Sequence, residues 1–257
     1  MESKTYLEEF GKIEINNQIN KTLEEMAQTI FKHWFVDFEF PNEHGDPYKS
    51  SGGEMVESEL GLIPKGWEVG DLENIATITM GQSPKGISYN EDGRGAVFYQ
   101  GCTDFTQRFP TIRLYTTEPN RIARRGDILM SVRAPVGDIN VAYEECCIGR
   151  GLCSFRSNDG MNSYLLYMLL NMRKKFDVFN GEGTIFGSIN QKNIKGMKII
   201  KPENYLIKDF NNLTKSLDKQ YLCLDETIKE LARIWDSLLP KLMSGEIRVP
   251  LEEVNIQ

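Results

Sequence analysis

The sequence predicts an α+β protein, in which a β-rich globular unit is flanked by long helices that form an antiparallel coiled-coil spacer. Three observations carry this. Near both ends, apolar residues recur at helical spacing over several turns. Between them lie short runs rich in β-branched and aromatic residues, bounded by Gly, Pro, Asn and Asp. The net charge of −7 is also uneven, because residues 66–203 hold slightly more basic than acidic side chains and the flanks carry the acid.

Residues 1–40 read as an N-terminal helical region. Ile19, Leu23, Met26 and Ile30 are spaced four, three and four apart, with Lys21, Glu24 and Glu25 between them, which makes an amphipathic stripe. The stripe ends in an aromatic patch of Phe31, Trp34, Phe35, Phe38 and Phe40. Pro41 and the polar run "NEHGDPYKSSGGE" follow, so residues 41–65 read as a linker. Residues 66–203 form the β-rich unit. Its strand-like runs are "WEV", "AVFYQG", "RLYTT", "DILMSV", "INVAYE", "CIGRGLCSF" and "MKIIKP", and one helix over 163–179 is expected to be capped by Asn162 or Ser163.

Residues 204–242 read as one long helix. Phe210, Leu217, Leu224, Leu231 and Leu238 recur every seven residues, and Tyr221, Ile228 and Trp235 form a second heptad series offset by four. A helix over 207–239 is on the order of 50 Å long. Pro240 bends or ends it, Gly245 closes the turn "LMSGE", and residues 243–257 are a tail. The plainer alternative is an amphipathic helix packed on its own domain. Its length and 3.5 period favour pairing with another helix, either the N-terminal one or a copy from a partner chain.

Composition narrows the chemistry. No run approaches the roughly 18 apolar residues of a membrane span, and the polar start "MESKTYLEEFGK" lacks the order of a signal peptide, so a cytoplasmic protein without membrane contact is expected. The five cysteines (Cys102, Cys146, Cys147, Cys153 and Cys223) lack C-x-x-C spacing and read as reduced, packed thiols. With His33 and His44 the only histidines, neither a zinc site nor a histidine triad is expected.

Phe179, Gly181 and Gly183 spell F-x-G-x-G, the glycine loop of many S-adenosylmethionine-dependent methyltransferases. A helical stretch precedes it where that loop needs a buried strand, and the chain has no Pro-Pro dipeptide for an N-P-P-[YF] element, so the spelling reads as accidental. No phosphate loop or nucleophile elbow is present, and Asp104, Asp127 and Asp138 sit beside glycines and turns, as turn-forming aspartates do. No catalytic residue, metal ligand or cofactor is therefore assigned to this chain. Nucleic-acid contact has more support. Arg108, Arg113, Arg121, Arg124, Arg125 and Arg133 interleave with aromatic and strand-like residues, and "GQSPKGISYN" and "GSINQKN" add side chains that can bond base edges. Such an arginine run by itself is more often a solvated face.

Taken in order, "ITMGQSPKGISYNEDG", "VFYQGCTDF", "GDILMSVRAPVGDINVA", "CIGRGLCSF", "GTIFGSINQKNIKGMKI" and "LLPKLMSGEIRV" resemble the DNA-specificity (S) subunit of type I restriction-modification systems. "TIFKHWFVDFEFP" with "ESELGLIPKGWEV" is similar to that family's central region. The resemblance implies that residues 66–203 are a target recognition domain for one half of a bipartite double-stranded DNA site, and that the flanking helices are spacers. It also implies docking to methyltransferase subunits, where S-adenosylmethionine binds, and to restriction/translocase subunits. A complete member carries two recognition domains. Here a second "GQSP" or "GTIFGSIN" is missing, so the chain resembles a half-length form acting as a homodimer, or else a non-productive truncated subunit. A stand-alone nucleic-acid-modifying enzyme and a coiled-coil adaptor are the rival classes.

The expected DNA-binding residues are Ser83 and Lys85 in the first polar loop, Tyr89 and Gln100 near the second motif, Arg108 and Arg133 on arginine-bearing strands, and Gln191 and Lys192 after "GTIFGSIN". The expected helix-pairing residues are Phe210, Leu217, Tyr221, Leu224, Ile228, Leu231, Trp235 and Leu238.

Overall fold

The computed structural model describes residues 2–181 and 187–244. They fall into two compact units, one of residues 31–211 and one of the described parts of 1–30 and 212–257. The order is α1 (Glu2–Phe35), β1 (Met55–Ser58), β2 (Gly61–Pro64), β3 (Glu68–Asp71), β4 (Ala76–Met80), β5 (Tyr89–Asn90), β6 (Ala96–Tyr99), β7 (Tyr115–Thr116) and β8 (Ile122–Ala123). There follow β9 (Ile128–Ser131), β10 (Ile139–Val141), β11 (Cys146–Ile148), β12 (Leu152–Ser157), α2 (Asn162–Asn171), α3 (Arg173–Asp177), α4 (Gln191–Lys195), β13 (Lys198–Lys201) and α5 (Asn204–Met243).

Two large sheets and the two-stranded pairs β1-β2 and β13-β3 make up the larger unit. One large sheet is antiparallel in the order β10-β9-β12-β4; the other, β5-β7-β6-β11-β8, pairs β6 and β11 in parallel. Val97, Tyr99, Ala123, Cys146 and Ile148 from the second sheet close a core with Leu129 and Leu152 from the first. All four residues of β9 are buried, and α2 packs on β12, so the central strands are covered on both faces. That explains why "DILMSV" reads as an apolar run rather than an alternation.

The segment expected as a linker is built into this unit. Phe40 stacks between Tyr48 (4.6 Å) and Trp67 (5.1 Å), and β1 and β2 form a hairpin turned at Glu59 and Leu60, where Ser58 Oγ donates to Gly61 O at 2.6 Å. Ordered aromatic stacking outweighs the loop-forming composition of "NEHGDPYKSSGGE". The helix expected over 163–179 breaks at Met172 (ψ 0°), and Phe176 beyond the break is fully buried. Asn162 does not cap it. Its Oδ1 accepts from Ser157 N at 2.9 Å and its Nδ2 donates to Gly126 O, which ties the helix start to β12 instead.

α5 is longer than expected, its 40 residues spanning about 60 Å, and Pro240 lies inside it. Pro240 removes one N–H bond and crowds the carbonyl four residues earlier, but it lies in the last turn, so few bonds remain beyond it to be lost. Gly245 and the tail lie outside the described residues. Phe210 is fully buried, with its ring 5.6 Å from Phe31 and 5.3 Å from Phe35 of α1 and 6.0 Å from Tyr167 of α2. The end of α1 thus meets the start of α5. In the helical unit Asn20, Leu23 and Ala27 on α1, and Thr214 and Tyr221 on α5, are buried. Leu217, Leu224, Ile228, Leu231, Trp235 and Leu238 are only partly covered. No described helix is long and apolar enough to cross a membrane.

Candidate nucleic-acid interface

β4 and β12 pair in register, with Cys153 opposite Met80, and the loops that leave their ends are pinned together beyond that pair. Gly81 N donates to Leu152 O and Gln82 N to Ile148 O, each at 2.9 Å. The turn at 149–151 is the hub. Gly149 N reaches Tyr99 O at 2.8 Å, Gly151 N reaches Gln100 O at 3.2 Å, and Arg150 N reaches Ser83 Oγ at 3.2 Å. On the other side Val132 N donates to Gly151 O (2.9 Å), Ile189 N to Val132 O (3.0 Å) and Ala134 N to Gly187 O (3.1 Å), while Arg133 and Ser188 form a β-bridge.

Loops from five distant places in the sequence therefore share one hydrogen-bonded junction. The backbones come so close that glycine is required at its centre. A Cβ on Gly81 would stand 2.1 Å from Gly149 O, and one on Gly151 would stand 2.7 Å from Gln100 O.

The expected DNA-binding residues separate into two groups. Ser83, Gln100, Arg133, Gln191 and Lys192 all lie on or beside this junction, and Lys85 follows two residues after Ser83. Lys85, Gln100, Arg133, Gln191 and Lys192 are exposed. Gln191 starts α4 rather than a free loop, because Asn190 caps that helix by accepting from Asn193 N at 2.9 Å, and Gln191 Nε2 donates to Ile78 O at 3.3 Å.

Arg108 is a correction. Arg108 is only 4% exposed. Its Nη2 donates to Tyr167 OH at 3.0 Å and its guanidinium lies 5.5 Å from the centre of that ring, so it is a packed interior cation. Tyr89 lends its hydroxyl to Pro84 O at 3.0 Å and its ring to Phe98 at 4.8 Å, which makes it a brace for the first loop.

The aspartates are likewise more than turn formers. Asp104 pairs with Arg113 (2.9 Å), Asp127 with Arg156 Nε (2.7 Å) and Asp138 with Arg173 (2.7 Å). The remaining cations stand apart. Lys85, Arg121, Arg124, Arg133, Arg150 and Lys192 are exposed and form no ion pair among the described residues. Arg121 joins the junction through its carbonyl, which accepts from Ile148 N at 2.9 Å. Arg121 belongs to the arginine run noted in the sequence, but Arg150 was not singled out from it. The available signal was an arginine held between two glycines in "IGRGL", a side chain presented by a tight turn.

The site offers no activated nucleophile from the buried thiols. Desolvation, followed by the neighbouring Cys147, Asp127 and glutamates, pushes the Cys146 thiol up to about 12, and burial raises Cys153 further still. At the F-x-G-x-G spelling, Phe179 ends the α3 turn by donating to Phe176 O at 2.9 Å, and Gly181 takes a φ of +74°. Gly183 lies outside the described residues.

A β-rich unit whose distant loops converge on an exposed basic junction, together with a second unit built from the long helices α1 and α5, defines a protein of recognition-type domain and helical region. The chain belongs to the family of the type I restriction modification DNA specificity domain, whose model matches residues 64–208. It is 36% identical over 196 residues to the putative type I restriction enzyme MjaX specificity subunit of Methanocaldococcus jannaschii, a match covering 75% of this chain and 46% of that protein. To the MjaIX specificity subunit of the same organism it is 27% identical over 92% of this chain and 56% of the relative.

Among solved structures it resembles the HsdS subunit of Thermoanaerobacter tengcongensis, with a TM-score of 0.55 and 28% identity over 95% of this chain and 56% of that one. The S subunit from M. genitalium matches with a TM-score of 0.58 at 15% identity, a likeness of fold alone. The chain spans about half the length of the curated relatives it matches.

Proposed function

We propose that this chain is the DNA-recognition subunit of a type I restriction-modification assembly, reading one half-site with residues 66–203 and catalysing nothing itself. The observation that carries the reading is the junction, where exposed, unpaired cations and amide side chains are held on a rigid backbone while Asp104 and Asp127 are paired with arginines inside. Rigid loops with Arg, Lys and Gln suit both phosphate and base-edge contacts. The helices set the spacing between two recognition domains, and α5 at about 60 Å covers more than one turn of duplex at roughly 34 Å per turn.

The partly covered heptad face from Leu217 to Leu238 supports a homodimer that restores a two-domain arrangement and reads two identical, inverted halves. Methyltransferase subunits dock on the assembly and bring S-adenosylmethionine, restriction/translocase subunits join them, and the complex works on DNA in the cytoplasm.

The test is co-expression with a type I methyltransferase subunit, followed by methylome sequencing and duplex binding. The expected result is adenine methylation at a bipartite inverted site, with binding that needs this chain and weakens as salt rises. Methylation by the purified chain alone, or methylation of the same sites without it, overturns the proposal.

A further inference from the structure

Ile87 is 91% exposed, the most exposed of the large apolar residues described. Single exposed apolar side chains are ordinary on a protein surface. What sets this one apart is the turn that carries it.

Ile87 sits in a 3-10 turn, Gly86–Ser88, between exposed Lys85 and Gly86 on one side and buried Ser88 on the other. Ser88 fastens the turn from beneath, with Oγ donating to Lys85 O at 2.7 Å and meeting the fully buried Thr116 Oγ1 at 2.8 Å. Ser88 O accepts from Thr117 N at 3.1 Å, and Tyr89 OH clamps Pro84 O at 3.0 Å. At its other end the loop is held by Ser83, whose Oγ accepts from Arg150 N and whose carbonyl accepts from Asn120 Nδ2 at 3.3 Å. A stiff branched side chain is thus held out into water by a braced loop that belongs to the basic junction.

We infer that Ile87 is an apolar DNA contact, placed against an apolar surface of a base when the junction cations hold the backbone. The shared chemistry is hydrophobic contact with a base, reached either as a thymine methyl in the major groove or as an unstacked step that the side chain enters. The inference rests on the recognition reading above. It adds a contact that carries no charge, and this gives it a signature distinct from the arginines and lysines.

The test uses the assembly with its methyltransferase, a duplex bearing the methylated site, and anisotropy across a salt series. Ile87→Ser is expected to weaken specific binding by roughly tenfold or less, to leave the slope of log K against log salt unaltered, and to leave Tm unchanged, with Ile87→Leu restoring most of the affinity. Replacing one thymine by uracil reproduces the loss if the methyl is the target; a 2-aminopurine that brightens with the unaltered chain and not with Ile87→Ser marks an opened step. Unchanged specific affinity, a shallower salt slope, or loss of the methyltransferase instead of DNA overturns the contact. If the unaltered assembly binds no site at all, the recognition reading itself falls and the Ile87 contact falls with it.

Discussion

Changing Arg108 to Ala separates an interior cation from a DNA contact. The guanidinium is 4% exposed, over the Tyr167 ring at 5.5 Å and bonded to its hydroxyl at 3.0 Å. A desolvated cation–π contact is worth about 2 kcal/mol, and a hydrogen bond to a charged group about 1.5–3 kcal/mol. Both fall on one tyrosine and are not additive, so about 3 kcal/mol is the expected loss for Arg108→Ala, including the space its stem leaves. For a unit of this size that lowers Tm by about 6–12 °C.

The assay pairs thermal unfolding with DNA binding over a salt series, using Arg133→Ala and Arg150→Ala as comparators. The comparators are expected to keep Tm within about 1–2 °C, because exposed substitutions cost little. Each should reduce the salt slope by about 1 if its side chain meets a phosphate. Arg108→Ala, measured well below its Tm, should keep the slope. A variant with native Tm and a reduced slope would refute the interior assignment.

Three further outcomes are expected. Gly81→Ala drives a Cβ to 2.1 Å from Gly149 O and should cost about 2–3 kcal/mol in urea unfolding while weakening DNA binding, whereas Gly86→Ala, which meets open space, should be neutral within about 0.5 kcal/mol. Under native conditions at pH 8, maleimide should label exposed Cys223 first and half-buried Cys102 slowly. Cys146, Cys147 and Cys153 should react only after unfolding, since burial holds Cys146 protonated up to about 12, and mass spectrometry reads the order. Leu231→Asp with Leu238→Asp, placed on the partly covered heptad face, should turn the proposed dimer into a monomer by light scattering without lowering the Tm of the β-rich unit.

The elements legible in the sequence are those whose signal is local. Heptads from Phe210 to Leu238 marked α5, and β-branched runs marked β6, β9, β10, β12 and β13, because burial on a helix face or in a sheet leaves periodicity in the chain itself. β5 and β8, at two residues each, are too short to carry any period, and β1–β2 lie inside polar, glycine-bearing sequence. The site was legible at the level of loops. Ser83, Gln100, Arg133 and Gln191 do converge, but Arg108 could not be told from its neighbours. One arginine goes inward and the next stays out according to whether a tyrosine 59 residues later is placed to receive it. That fact lives in the tertiary structure and leaves no mark on spacing.

The same sorting resolves why an acidic protein can carry a basic recognition surface. Counted along the sequence, residues 66–203 are almost neutral, which alone argues against a grip on phosphate. In the fold, however, Asp104, Asp127 and Asp138 are spent on Arg113, Arg156 and Arg173, and Lys198 is engaged by Asp71 and Glu59. What remains outward near the junction is Lys85, Arg121, Arg133, Arg150 and Lys192. If every one of them met a phosphate, the slope of log K against log salt for one domain would be about −5 and no steeper. A domain limited to that electrostatic reach is expected to bind weakly alone, which is why the proposal gives part of the grip to a second domain and to partner subunits. The proposed homodimer would supply the second domain, and the partly covered heptad face of α5 from Leu217 to Leu238 is the surface that would pair.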